Sequence, residues 1–224
     1  MECHVRRAQR EDVEAISRIV IAALRASNSQ DYPVEVIAQV EQSFSPAAVS
    51  VLLDSRVVFV AVKQNNLLGT ASLDGEVVRT VFVAPTHHGT GIGRLLMEAI
   101  HAAAIRAGVT ALRVPSSITA QGFYARLGYR KLRDEFHGVE RTIVMEKSTL
   151  TISEAAHALN VSCEYLAKQL DEGAIPHTCH DGERGIAFPD LIAYKDKQDK
   201  ISRAAMDELA DQAQALKMGY DSQA

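Results

Sequence analysis

The chain holds no tryptophan, only 5% aromatic residues, six prolines and three cysteines in 224 residues. Cys3, Cys163 and Cys179 are odd in number and far apart, so they form no disulfide framework, and the expected compartment is a reducing one. No apolar run approaches the roughly 18 residues of a membrane span. The opening MECHVRRAQREDVEA lacks the apolar stretch of a secretory leader, which gives the expectation of a soluble, cytoplasmic protein without a membrane partner. A basic excess is missing too: 24 Lys+Arg stand against 28 Asp+Glu, a net of −4, which argues against whole-chain electrostatic binding of nucleic acid.

What is present is globular in composition, with 47% apolar and 23% charged residues. At roughly 150 residues per domain the length suits one ordinary domain and a small one. The charge is uneven. Up to Ser148 there are 17 basic residues against 15 acidic, whereas beyond it 7 stand against 13.

Hydrophobic periodicity predicts a strand at 2–7 and then a helix over about 10–26, with Val13, Ile16, Ile19, Val20 and Ala23 on one face. Pro33 opens a second helical stretch bearing Val36, Ile37 and Val40, and Ser45 with Pro46 reads as an N-cap and first-turn proline. VVFVAV at 57–62, LLGTASL and VVRTVFV, separated by turns at 64–66 and at Asp74 and Gly75, predict a three-strand antiparallel meander. After Pro85 come a glycine loop and a helix to about Ala107. A strand near Leu112, a short helix over about 119–127 closed by Gly128, and the strands YRKLRD and ERTIVMEK complete an α/β layer fold.

The densest signal is VFVAPTHHGTGIGRLLMEAI, where a strand, glycines 89, 91 and 93 and a helix start coincide. Glycines let backbone amides turn toward a ligand, and the helix N-terminus adds partial positive charge, a combination suited to a pyrophosphate. Arg94 adds a charge. A tight β–α connection would also account for the glycines. A Walker loop is excluded because no Gly-Lys-Ser/Thr occurs, and a Rossmann fingerprint expects an early βαβ unit, not an antiparallel meander.

The strand TVFVAP, the loop HHGTGIGRLL and the segment SSITAQGFYARLGY at 116–129 together resemble the GNAT superfamily of acetyl-CoA-dependent N-acetyltransferases, over residues 1–147. The resemblance implies a GNAT-type mixed sheet flanked by helices and acetyl-CoA as co-substrate. It implies that the strand Val81, Phe82 and Val83 pairs with the pantetheine arm, and that amides of Gly89, Thr90, Gly91, Ile92, Gly93 and Arg94 hold the pyrophosphate. His88 stands where the family usually has Arg or Gln, so the grip on the cofactor should weaken as pH rises. Thr119, where many relatives carry Asn, and Phe123 are also implied to touch the cofactor. Tyr124 matches the usual general acid for the coenzyme A thiolate, a role that suits a phenol protonated at neutral pH; without the resemblance it reads as a packing tyrosine. Glu76 lies near where several relatives place a base, although Asp74 and Glu76 also fit a solvated turn and ordered water can activate an amine. Tyr32 and Glu35 are the expected acceptor-facing residues.

At 147–150 the pattern resets. Thr151 and Glu154 form a capping box, Ala155, Ala156 and Leu159 a buried face, Asn160 a left-handed turn, and Ser162 caps a helix with Leu166 and Leu170 inside that Gly173 ends. A hairpin with HDGE at its tip follows, then a helix from Pro189 and a long helix with Ile201, Ala205, Leu209, Ala213 and Leu216 on one face. Residues 149–194 resemble the excisionase-like helix-turn-helix domain of small DNA-binding proteins and antitoxins. The resulting division is 1–147, 149–194 and a C-terminal amphipathic tail at 195–224. Within 149–194 seven acids face only Lys168 and Arg184, which disfavours a duplex and favours a protein partner or a homodimer. The leading reading is an N-acetyltransferase acting on a primary amine with a targeting or assembly module; the alternative is a DNA- or toxin-binding regulator whose acetyltransferase half senses acetyl-CoA or modifies its partner. His177, Cys179, His180 and Cys163 match no standard zinc spacing, so no metal is expected.

Overall fold

A computed structural model describes residues 3–27, 41–137, 140–180 and 182–215. The stretch expected to be helical after Pro33, with Val36, Ile37, Val40, Tyr32 and Glu35, lies outside them. The strands β1 (His4–Arg7), β2 (Val57–Lys63), β3 (Asn66–Asp74), β4 (Val77–Val83), β5 (Leu112–Ser116), β6 (Arg130–His137) and β7 (Glu140–Lys147) form one sheet in the order β1-β2-β3-β4-β5-β7-β6. Only the β4–β5 pair is parallel.

Side chains alternate across a strand, and in β2 both sets are apolar, so the sheet needs cover on both faces. Val58, Val60 and Val62 pack with Ile16, Val20 and Leu24 of α1 (Val13–Ser27) and Val49 of α2 (Pro46–Ser55). Phe59 and Ala61 pack toward Leu96, Met97 and Ile100 of α3 (Ile92–Arg106) on the other face. The meander is closed by Gln64 and Asn65, both at positive φ, the conformation of a two-residue hairpin turn matched to strand twist. Ser45 caps α2 by accepting the Ala48 amide at 3.4 Å.

Beyond β7, β8 (Thr149–Thr151), β9 (Thr178–His180) and β10 (Glu183–Ala187) form a second sheet in the order β8-β10-β9. Helices α5 (Ile152–Leu159) and α6 (Cys163–Asp171) flank Asn160, whose φ of 57° and ψ of 46° make the left-handed turn. The capping box of Thr151 and Glu154 is formed, and Ser162 accepts the Tyr165 amide at 3.1 Å. Leu150, Ala155, Ala156, Leu166, Leu170, Ile186 and Phe188 lie in the same apolar cluster as α3, so the segment after β7 extends the core of the large sheet.

The helical stretches expected after Pro189 and from Ile201 onward are one helix, α7 (Phe188–Ala215); Leu216 lies outside the described residues. The charged run KDKQDK between them contains neither glycine nor proline, so nothing interrupts propagation. Phe188, Leu191 and Tyr194 are buried, while Ile201, Met206 and Leu209 are exposed on the distal half. Among the described residues no helix is long and apolar enough to cross a membrane.

Candidate active site

The site begins where two parallel strands separate. β4 and β5 share a single register pair, Val77 with Arg113, fixed by the Arg113 amide donating to the Glu76 carbonyl at 3.0 Å. Past that point β4 carries an extra residue opposite β3: Thr70 pairs with Phe82 but Ser72 with Arg79. Such a bulge bends and twists a strand. Thr80, inside it, has a φ of 49°, an outlier for a β-branched residue, and its hydroxyl meets the Ser72 hydroxyl at 2.5 Å. β4 keeps its bonds to β3, with the Ala84 amide donating to the Leu68 carbonyl at 2.8 Å. The backbone groups of Val81 and Val83 therefore lie, by alternation, on the edge facing the fork. Phe82 turns its ring edge-on to Phe44 at 6.0 Å on the α1–α2 face.

The loop after β4 turns sharply over Pro85–His87 and then through Gly89 and Gly91, with φ of 74° and 85°. Thr90 ties the loop by donating its hydroxyl to the His87 carbonyl at 2.7 Å. Gly91 is the N-cap of α3, so the amides of Ile92, Gly93 and Arg94 have no partner one turn back, the arrangement that favours negative charge at a helix start. Arg94 is held by Glu98 at 3.1 Å on the exposed side. Nε2 of His88 donates to the Val83 carbonyl at 2.9 Å. A neutral imidazole has one N–H, which this bond uses, so His88 can donate to a phosphate as well only when protonated.

Tyr124 sits on α4 (Gln121–Arg126), which follows β5 across the fork from β4. The Phe123 ring lies over the start of α3, where a Cβ at Gly93 would stand 3.1 Å from two ring atoms. That contact seats α4 against the glycine loop. Tyr124 is 5% exposed, its ring edge-on to Phe123 at 5.0 Å and to Tyr129 at 5.6 Å. Burial pushes its pKa well above the usual phenol value, so it keeps its proton at neutral pH. Thr119 is exposed in the turn that leads into α4.

Glu76 stands at the closed end of the fork. Its carboxylate accepts from Arg113 Nη1 at 2.6 Å, and Arg113 also reaches Glu146 at 3.1 Å. To act as a base it would have to leave that guanidinium. The structure thus places Phe123 of α4 and Val83 of β4 beside Gly93 at the start of α3, with Tyr124 edge-on to the Phe123 ring at 5.0 Å and Glu76 ion-paired at the closed end of the fork. Sequence reasoning missed Thr80, Ser72 and Arg113, since an alternating apolar strand gives no sign of a bulge. Among the described residues no group of three or more His, Cys, Asp or Glu is placed to hold a metal ion, and Cys163 and Cys179 are both exposed.

Residues 28–148 match the family model described as an acetyltransferase (GNAT) domain. Among solved structures, a GCN5-related N-acetyltransferase from Rhodopseudomonas palustris is 24% identical with a TM-score of 0.62, covering 66% of this chain and 96% of its own. The PaiA N-acetyltransferase from Thermoplasma acidophilum, solved with coenzyme A, is 16% identical with a TM-score of 0.58 over 66% of this chain and 99% of its own. No curated protein sequence matches the chain.

Proposed function

The chain belongs to the GNAT acetyltransferase family, and we propose that it transfers the acetyl group of acetyl-CoA to a primary amine by direct attack in a ternary complex. The observation that carries this reading is the fork itself: a bulged β4 parting from β5 directly beside an amide-lined helix start. The β4 edge offers the Val81 backbone groups and the Val83 amide to an extended amide-containing arm, the Val83 carbonyl being taken by His88. The loop amides suit a pyrophosphate, with His88 and Arg94 as added cations.

Transfer forms a C–N bond and breaks the C–S bond; the amine loses a proton and the departing sulfur gains one. Tyr124 supplies the second proton, because burial keeps its hydroxyl protonated. Amine deprotonation goes through ordered water in this reading, since the Arg113 ion pair engages Glu76, the other candidate base. In this reading Thr119 offers the cofactor a hydrogen-bonding side chain and Phe123 an apolar wall.

Residues 149–194 serve, in this proposal, as an excisionase-like helix-turn-helix module for targeting or assembly, with 195–224 as a docking or dimerisation tail in a cytoplasmic protein. Both cations of the module are paired, Arg184 with Asp171 at 2.7 Å and Lys168 with Glu172 at 3.7 Å, which favours a protein partner over a duplex. Salt-sensitive mobility shift of the protein's own upstream DNA would reverse that preference and support the regulator reading. The enzyme reading is tested by coenzyme A binding calorimetry and by thiol release across a panel of amines. Binding with amine-dependent thiol release is expected, and absence of binding would overturn it.

A further inference from the structure

The acetyltransferase match stops at residue 148, yet a carboxylate from beyond it reaches into the core beneath the helix that carries Tyr124. Lys147, at the end of β7, is 4% exposed. Its ammonium donates to both oxygens of Glu154, at 2.7 and 2.9 Å, and to the carbonyl of Leu127. Leu127 is the C-cap of α4, where carbonyls lack partners within the helix and a cation is favourable. Gly128 leaves room for this contact: a Cβ there would stand 3.2 Å from Nζ, and its φ is 82°.

A second path reaches the same tyrosine. Lys147 Nζ lies 5.9 Å from the centroid of the Tyr129 ring, and that ring meets Tyr124 edge-on at 5.6 Å. The Tyr129 hydroxyl is 3.2 Å from Nε2 of His101 on α3. Glu154 is itself fixed, accepting the Thr151 amide at 2.9 Å and its hydroxyl at 3.2 Å in the capping box of α5. Without Glu154 the ammonium would be buried and unpaired, a state strong enough in cost to drive it from its place. The Leu127 carbonyl would then lose its donor and the Tyr129 ring its cation.

We infer that Glu154 is a positioning residue for Tyr124, acting through Lys147 on the C-terminal end of α4 and on the Tyr129 ring. This rests on the acetyltransferase reading of Tyr124, and it makes the segment beyond residue 148 part of the catalytic unit. The acid of the reaction is held by a carboxylate that the family's own segment does not contain.

The test uses the full chain in three variants, Glu154→Ala, Glu154→Gln and the double Lys147→Met/Glu154→Leu. Readouts are Tm, coenzyme A Kd, kcat with the amine giving most thiol release, and amide hydrogen exchange over residues 124–129. Glu154→Ala should lower kcat about tenfold and speed that exchange, with coenzyme A Kd within about twofold of wild type. The double variant replaces a buried ion pair by apolar groups, a change that commonly restores stability. Its Tm should recover while kcat stays low and exchange stays fast, because nothing then reaches the Leu127 carbonyl. Recovery of kcat together with Tm would overturn the proposal by showing that the pair acts only through stability. If the double variant does not fold, Glu154→Gln decides: lowered kcat at unchanged coenzyme A affinity supports the role, and wild-type kcat at lowered Tm overturns it. Should the wild-type protein fail to bind coenzyme A, the acetyltransferase reading falls, and hydrogen exchange alone judges the clamp on α4, with wild-type exchange in Glu154→Ala refuting it.

Discussion

The amide of Arg113 donates to the carbonyl of Glu76 at 3.0 Å, and at this bond β4 and β5 cease to be neighbours in a sheet. Their side chains repeat the link, Nη1 of Arg113 meeting the Glu76 carboxylate at 2.6 Å. The pair closes the fork, so Glu76 has a structural duty that does not require proton transfer. Glu76→Gln should therefore reduce kcat less than about threefold and leave the pH profile unchanged. A general base would show a loss of about 10²-fold or more and a lost acidic limb.

The Val83 carbonyl already receives Nε2 of His88 at 2.9 Å, so a phosphate contact needs the imidazolium with its second N–H. Coenzyme A binding should weaken as pH rises, because only the protonated ring has a second N–H to donate. His88→Arg should flatten that dependence. Calorimetry at several pH values checks it, and superimposable curves for the two proteins would remove His88 from the cofactor site.

Gly93 carries the Phe123 ring where a side chain would otherwise stand, at 3.1 Å from a built Cβ. Gly93→Ala should push Phe123 off the start of α3 and displace α4 with it. Coenzyme A Kd is expected to rise about tenfold, with kcat falling as well; a variant with wild-type Kd would show that the ring gives way without disturbing the loop.

His101 is buried, and its Nδ1 has no hydrogen-bond partner. Desolvation, then the nearby Lys147 charge, lowers its pKa from 6.5 to about 4. Between those values the unfolded chain takes up a proton that the folded chain refuses, so stability falls as pH drops through this window, by on the order of 3 kcal/mol in all. Denaturant titrations at pH 7, 6, 5 and 4 should show the decline, and His101→Gln should lose most of it. An unchanged slope in the variant would place the titration elsewhere.

Much of this arrangement can be read from residue types alone, because it depends on local rules. The Ser45–Pro46 start, the Thr151–Glu154 box and the Asn160 turn each require only neighbouring residues, and each forms as expected. The fork does not. Thr80 looks like any strand residue in VVRTVFV, and its positive φ arises from the pairing of β3 with β4. The Lys147–Glu154 pair was equally hidden, since Lys147 reads as the last residue of one segment and Glu154 as the cap of the next. The charge imbalance beyond Ser148 is visible in the sequence, but that one of those acids is nearly buried under α3 and α4 is not.

The account turns on Tyr124, which is buried against the rings of Phe123 and Tyr129. Its most direct test is Tyr124→Phe, with coenzyme A Kd and kcat measured on the same preparation. The expected result is a kcat lower by about 10²-fold at a Kd within about twofold of wild type; loss of binding with kcat preserved in the bound fraction would make Tyr124 a packing residue and contradict the account.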